Sequence, residues 1–479
     1  MGEMFLRVSV IIVTYNQSRL LPVAIDSVLA QTYPAIEVIV VDDGSTDDTP
    51  EVMQFYTGRV RYIHQENRGV VAARNTGIRA ATGEFVNVLD SDDFFLPAKI
   101  ERQMQVFNTR PGVGLVHCGF YQVDENGNRL NKVTSFPSDN LLRELAVDCF
   151  LLVHAPLVRR EWFDREGLFD EHLPWEGQHA EDWELWLRIA KAGCQFAYVR
   201  EPLIAYRILQ GSRMTHVAKM ERGSISVLDR FFAASDLPAD VVAVKAEAYG
   251  LRRLWIGFDY AGSGLWEDAR RNFAEALAVY PGWADNSALI LKKIVDAALI
   301  PRVKDPLAFV DSVLVHLPPE VAALQGYGSY LRSRVMTSLA VKSYAAGNAI
   351  QARQQIANAI GIDPSLLDSP DEFRSILCHY AMSLPIPDPI MFAGSVLGNL
   401  PVEAKRLKRI RPRVLSDVNL ACAFEDYNKR QWARTVQRVI DAARYRPAIF
   451  KNRGVLSILL RSMLELTKHR GDELCRMLQ

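Results

Sequence analysis

The sequence predicts an α/β domain with a mixed, mostly parallel sheet, followed by an all-α helical repeat domain. Three observations carry this. Short β-branched runs alternate with amphipathic stretches over the first 120 residues, strand signals disappear beyond about residue 230, and three later segments align without gaps at constant spacing. The chain has 479 residues, 49% hydrophobic and 23% charged, which sets aside collagen-like, disordered and disulfide-scaffold classes. Its zero formal charge is a cancellation: residues 1–230 carry 24 basic and 31 acidic side chains, and residues 231–479 carry 32 and 25. Two domains are expected, residues 1–230 and residues 231–479, and a polybasic nucleic-acid binder is not.

In chain order, residues 8–13 (VSVIIV) read as a buried strand, and Leu20, Leu21, Ala24, Ile25, Val28 and Leu29 form a helical stripe ending near Pro34. Residues 36–41 (IEVIVV) are a second buried strand. It runs into the turn residues Asp42-Asp43-Gly44-Ser45-Thr46, with a helix expected from about Thr46. Residues 60–64 form a third strand, 70–81 a helix closed by Gly83, and 84–89 a fourth strand stopping at Asp90. Such a β-α-β series implies a parallel sheet covered on both faces, with ligands beyond the carboxyl ends of its strands. Thr14-Tyr15-Asn16, Asp42-Asp43 and Asp90-Ser91-Asp92-Asp93 lie at those ends and should converge on one cleft. Residues 113–133 read as two antiparallel strands around a turn at 124–128, which makes the sheet mixed. A helix over about 182–191 follows the loop 173–180, and 196–199 is a last short strand.

In the second half, WEDARRNFAEALAVYP (266–281), AIQARQQIANAIGIDP (349–364) and WARTVQRVIDAARYRP (432–447) end in prolines spaced by 83 residues. Ala276, Ala359 and Ala442 recur at one aligned position, as expected where helices approach closely. The segments resemble tetratricopeptide-like helical hairpins, with about two hairpins per period. The net positive charge and helical repeats of this half point to an interaction module that docks the acceptor, a protein partner or, as a peripheral contact, an anionic membrane surface. The six cysteines form no CxxC pair and the N-terminus has no signal-peptide pattern, so a cytoplasmic compartment is expected. The most apolar segment, 454–466, is interrupted by Arg461 and Glu465.

The stretches VSVIIVTYNQSRLLPVAIDSVLAQTYPAIEVIVVDDGSTDDT, NRGVVAARNTGIRAATGEFVNVLDSDD and GLFDEHLPWEGQHAEDWELWLRIA, with the trailing AYR, stand in order over about 200 residues. Together they resemble the family-two inverting glycosyltransferases with a GT-A nucleotide-sugar fold. The resemblance implies transfer of a sugar from a nucleotide diphosphate, UDP-linked donor to a hydroxyl of a glycan, lipid-linked or protein acceptor, in cell-surface glycan or polysaccharide assembly.

Splitting the donor leaves a highly charged pyrophosphate, for which Mn2+ or Mg2+ is the natural stabiliser. Asp90 and Asp92 end a strand as two hard oxygen donors. By the resemblance Asp92 binds the metal directly, and Asp90 supports it or contacts the ribose. Asp43 is assigned to the nucleotide base, with Thr14 beside it; Asp42 is either a second contact or a turn residue. Arg74, in ARNTG, faces the same cleft and touches the nucleotide or pairs with the acidic clusters. Glu181-Asp182 opens a helix, and an inverting transfer needs one general base to deprotonate the acceptor. The resemblance places that base at Asp182, kept ionised by the helix dipole, with Glu181 orienting the acceptor or bracing the loop. Trp183 and Trp186 stack on a sugar or pack inside.

Two departures matter. In place of the Gln-x-x-Arg-Trp of processive enzymes stands only Trp186-Leu187-Arg188, which argues against a processive synthase. Tyr206-Arg207 is followed by Ile208-Leu209 rather than the family's His, which leaves His216 as a substitute metal ligand and Arg207 as a phosphate contact. No GxxxxGK[ST] loop, GxSxG elbow or HExxH helix is present. A non-catalytic scaffold with a degenerate nucleotide-sugar domain is the competing expectation.

Overall fold

The computed structural model describes residues 5–134, 140–172, 180–209, 217–301 and 303–477. They divide into two compact units, Met1–Asp285 and Asn286–Gln479. The first unit holds a nine-stranded sheet: β1 (Val8–Thr14), β2 (Ile36–Asp42), β3 (Arg61–His64), β4 (Phe85–Asp90), β5 (Phe94–Phe95), β6 (Val113–Val123), β7 (Arg129–Val133), β8 (Leu157–Arg159) and β9 (Gln195–Arg207). Its order is β3-β2-β1-β4-β8-β6-β9-β5, with β7 on β6. Pairs β1/β2, β1/β4, β2/β3 and β6/β9 are parallel; β4/β8, β6/β8, β6/β7 and β5/β9 are antiparallel. The sheet is therefore mixed, as expected.

Its helices are α1 (Leu21–Leu29), α2 (Thr49–Gln54), α3 (Val70–Ala80), α4 (Lys99–Thr109), α5 (Leu141–Val147), α6 (Arg160–Glu166) and α7 (Glu181–Lys191). After the last strand come α8 (Val217–Phe232), α9 (Ala239–Val242), α10 (Lys245–Gly262), α11 (Trp266–Val279) and α12 (Gly282–Asp285). Strand side chains alternate between two faces, so every inner strand feeds two cores. Val8, Val10, Ile12 and Val40 pack with Leu21, Ile25, Ile100 and Met104 of α1 and α4. Ile11, Val13, Ile39 and Val88 belong to the other core with Val71 of α3 and Trp183 of α7. Helix α3 lies so close to β1 that a Cβ at Gly77 would stand 2.2 Å from Ile11 Cγ2.

Three elements depart from the sequence expectation. The second helix begins at Thr49 rather than about Thr46, because Asp47 accepts hydrogen bonds from the Ser18 and Thr49 amides and Asn16 Oδ1 accepts from the Thr46 amide, which holds the intervening chain as a loop. The last strand runs thirteen residues, because it pairs with β6 through register shifts and continues alongside β5. The compact units part at 285/286 rather than at 230/231. Val227, Leu228, Phe231, Val241, Val244 and Ala248 share the core that holds Trp183, so the first helices after the sheet pack into the sheet domain.

The second unit is helical throughout its described residues: α13 (Ser287–Ala298), α14 (Pro306–Val315), α15 (Gly328–Ala345), α16 (Ala349–Ile362), α17 (Ser365–Asp368), α18 (Pro370–Ser383), α19 (Pro389–Gly398), α20 (Arg411–Asn428), α21 (Trp432–Tyr445) and α22 (Arg453–Met477). Eighteen-residue helices start at 245, 328 and 411, and fourteen-residue helices at 266, 349 and 432. Both series step by 83, and the ten-residue helices at 306 and 389 keep the step. The sequence period is a structural period. Ala276, Ala359 and Ala442 are all buried, as close helix packing requires. No helix among the described residues is long and apolar enough to cross a membrane.

Candidate active site

The three polar clusters meet at the carboxyl ends of β1, β2 and β4, because those strands are parallel neighbours in register: Thr14 is opposite Asp42, and Val13 is opposite Asp90. The Thr14 hydroxyl is buried without a hydrogen-bonding partner among the described residues. Asp42 is fully buried. Its carboxylate accepts hydrogen bonds from the Ser45 amide (2.8 Å), the Tyr62 hydroxyl (2.6 Å) and His64 Nδ1 (3.1 Å). Burial alone would raise its pKa, but these donors outweigh it and hold the carboxyl below the usual range. That occupation answers the open choice for Asp42 in favour of a turn-bracing residue. Asp43 is likewise engaged, accepting from Gln65 Nε2 (2.7 Å) and from the Arg68 and Gly69 amides (3.0 and 2.8 Å). It shapes the loop 65–69 that leads into α3.

Arg74 is the hub. Its guanidinium, 1% exposed, donates to both oxygens of Asp90 (2.8 and 3.1 Å) and to Glu181 Oε1 (2.5 Å). Burial works against the charged form, but the two carboxylates outweigh it and raise its pKa. Of the two roles expected of Arg74, the ion pair is the one described: the side chain braces the cleft between Asp90 and Glu181. The bridge joins the end of β4 to the first residue of α7, elements 107 positions apart from Arg74 on one side and 16 on the other.

Asp182 follows Glu181 and is half-buried. Desolvation and the neighbouring Glu181 charge push its pKa up to about 7, with Arg74 opposing. Burial and a like charge therefore act against the ionised form that the helix dipole favours. Trp183 and Trp186 are both buried, Trp183 Nε1 donating to the Leu145 carbonyl (2.7 Å) and Trp186 lying edge-on to Phe169. Packing, not sugar stacking, is their role.

Arg207 comes to the site because β9 is long. Its amide donates to Asp93 Oδ1 (2.6 Å), Nε to the Asp92 carbonyl (2.8 Å) and Nη1 to the Glu125 carbonyl (2.6 Å). A buried guanidinium bonded to carbonyls is a clamp on the Asp90–Asp93 turn. Asp92 is half-buried at that turn. Asp90 and Asp92 are hard oxygen donors of the right kind for Mg2+ or Mn2+, which takes one or two carboxylates and completes its shell with phosphates and water. Among the described residues no group of three or more potential ligands converges. His216 lies outside the described residues, as do residues 173–179 of the loop before α7.

Several residues escaped the sequence reading. His154 is buried against Asp93 (Nε2 to Oδ2, 3.4 Å) and stacks on Tyr206 at 6.0 Å; burial pushes its pKa down to about 4. Asn75 ties the chain before α7 to α3, bonding the Phe169 carbonyl and amide and Glu171 Oε1. Arg252, on α10, has a buried Nε and is charge-coupled to Asp148 and Asp182. Asn75 stood in the quoted ARNTG run; Arg252 lies beyond the expected domain boundary, where nothing local flags it.

Residues 9–167 match the family model described as Glycosyl transferase family 2. An uncharacterized glycosyltransferase of Rickettsia prowazekii is 32% identical over 232 residues, 47% of this chain and 69% of that protein. The chondroitin synthase of Escherichia coli is 31% identical over 219 residues, 45% of this chain and 30% of the synthase. The chain spans 64% of a Rickettsia typhi relative and 31% of a Rickettsia felis one. Among solved structures it is similar to the mannosyltransferase PcManGT from Pyrobaculum calidifontis in complex with GDP-Man and Mn2+, with TM-score 0.43 and 22% identity over 66% of this chain and 88% of that one.

Proposed function

The chain belongs to glycosyl transferase family 2, and on that premise we propose that it is a metal-dependent inverting glycosyltransferase that moves a sugar from a UDP-linked donor to a hydroxyl acceptor in glycan assembly. The observation that carries the reading is the buried Arg74 bridge, which holds the acidic turn after β4 and the Glu181-Asp182 start of α7 at one cleft. A transfer with inversion requires both: one end for the leaving diphosphate and the other for the proton of the attacking hydroxyl.

In this reading the acceptor oxygen attacks the anomeric carbon as its proton passes to Asp182, and the bond from that carbon to the diphosphate oxygen breaks with its electron pair. A carboxylate with a pKa near 7 is a stronger proton acceptor than an ordinary aspartate and is still ionised in a large fraction at neutral pH. Glu181, held by Arg74, keeps α7 in place and raises the basicity of Asp182 through its charge. A divalent cation held by Asp92, with Asp90 in support, would neutralise charge on the leaving diphosphate. Asp92 is the better direct ligand, since both Asp90 oxygens already accept from Arg74. Thr14, with its unpartnered hydroxyl, and Asp43 remain the nucleotide side of the cleft. The sugar and the acceptor follow from pocket walls that no motif encodes.

The test is hydrolysis of UDP-sugars with and without Mn2+, in the parent chain and in Asp92→Ala and Asp182→Ala. Loss of turnover by about 100-fold or more in each supports the assignment. Full turnover in either variant removes that residue from catalysis. Absence of any UDP binding in the parent would instead favour a scaffold whose nucleotide-sugar domain no longer works.

A further inference from the structure

The 83-residue period allows one position to be compared three times. Each eighteen-residue helix of the repeat ends in the same turn, in which a residue of positive φ donates its amide three residues back and the next amide reaches five residues back. In the first copy these are Gly264 to Ala261 (3.0 Å) and Leu265 to Tyr260 (2.9 Å). In the second they are Gly347 to Tyr344 (3.1 Å) and Asn348 to Ser343 (2.9 Å), and in the third Arg430 to Tyr427 (3.0 Å) and Gln431 to Asp426 (2.8 Å). The first two use glycine at φ 74° and 81°; the third places arginine at φ 57°. A side chain is disfavoured in that conformation, which sets the third copy apart from the other two.

The neighbours changed with it. Where the first copy has Ser263, Gly264 and Asp268, and the second Ala346, Gly347 and Gln351, the third has Lys429, Arg430 and Arg434. Arg430 and Trp432 line two adjoining concavities of about 600 and 460 Å³, and Arg434 lines the larger. Trp432 is half-buried, its ring edge-on to Tyr427 at 5.5 Å, and Arg434 Nη1 donates to Gln431 Oε1 (3.2 Å). Arg461 and Glu465 of α22 line the smaller concavity. Lys429 is held near Glu425 and Arg438 near Asp426, both at 3.9 Å, whereas among the described residues Arg430 and Arg461 have no ion-pair partner.

We propose that this face of the third repeat, centred on Arg430, Trp432, Arg434 and Arg461, binds a saccharide bearing carboxylate or phosphate groups. An indole flanked by guanidinium groups offers an apolar plate for a sugar ring and forked donors for the anion attached to it. A purely anionic surface would use the arginines and leave the aromatic pair idle. That the saccharide is the acceptor glycan rests on the transferase reading; that the site binds it does not.

The experiment is calorimetry on the full chain with hexagalacturonate and with phosphorylated maltohexaose, against neutral maltohexaose and phosphatidylserine vesicles. Binding of at least one charged saccharide, weakened by salt and at least about tenfold tighter than maltohexaose, is expected. The triple variant Arg430→Gly, Trp432→Ala, Arg434→Gln installs the residues that the second repeat carries at the same places, so it should fold and lose about tenfold or more in that affinity. UDP binding, measured in parallel with Mn2+, should be unchanged in it. Unaltered saccharide affinity in the triple variant, binding to vesicles but to neither charged saccharide, or no binding to any probe would each overturn the site. A chain that binds the saccharide here but no UDP would refute the transferase reading and leave this one standing.

Discussion

Replacing Arg74 with methionine tests the centre of the molecule. The substitution keeps much of the apolar stem but removes the charge from a position 1% exposed, so that Glu181, 7% exposed, and Asp90, 22% exposed, both lose their ion pair with it. Removing one partner of a buried ion pair costs about 3–5 kcal/mol, chiefly because the remaining charge stays buried and unpaired. Here two carboxylates lose the same cation at once, so the cost should fall within that range. At about 2–4 °C per kcal/mol for a domain of this size, the unfolding midpoint should fall by roughly 6–20 °C. Seven of the eight tryptophans lie in residues 1–285, so indole fluorescence reports this unit in the intact chain. Adding Glu181→Gln to Arg74→Met should restore part of the loss, because one of the two carboxylate charges that lost Arg74 is then gone. A single-variant loss below about 1 kcal/mol, or a double variant no better than the single, would refute the clamp and with it the reason for placing both acidic clusters in one cleft.

The remaining predictions concern other links of the chain. If Asp182 is the proton acceptor, turnover should rise with pH through a midpoint near 7, since its raised pKa leaves it protonated below that point, and Glu181→Gln should move the midpoint down; a flat profile from pH 5 to 8 would count against it. The same shift has an opposite sign for stability: the folded pKa exceeds the unfolded one, so the contribution is full below about pH 4 and lost as pH rises through 7, and Asp182→Asn should be relatively more stable than the parent at pH 8 than at pH 5 in denaturant titrations. Gly77→Ala should cost about 1–3 kcal/mol because its Cβ would stand 2.2 Å from Ile11 Cγ2, and an unchanged denaturation midpoint would mean that α3 is farther from β1 than described. Arg430→Gly should leave stability within about 1 kcal/mol of the parent or raise it, since the glycines at the equivalent places have open space around a Cβ and only backbone strain is relieved.

The expected elements that survived best were those whose signal is local. Residues 8–13 and 36–41 are apolar on both faces because both faces are covered, so a continuous β-branched run leaves no alternative to a central parallel strand. The helical period was legible because Ala276, Ala359 and Ala442 must be small wherever paired helices touch. The second helix was placed too early because Thr46, Asp47 and Asp48 look like a cap, whereas Asp47 spends its oxygens on Ser18 and Thr49. Two long-range hydrogen-bond networks engage side chains at the strand ends: Arg207 with carbonyls of the turns at 92 and 125, and Asp43 with the loop 65–69. Neither network leaves a trace in spacing or periodicity, because its members are distant in sequence.

By itself the sequence determined the family, the α/β-then-α order, the strand ends that carry acids, and the 83-residue period, since each depends on neighbours within a turn, a strand or a repeat. Only the tertiary structure decided which acids meet and in what state. Arg74 meets Glu181 of α7, more than 100 residues away, and no local pattern fixes that pairing. The pKa of Asp182 was decided in the same way. Helix position favours its ionised form, whereas desolvation and the charge of Glu181 oppose it, and neither exists until the chain has folded.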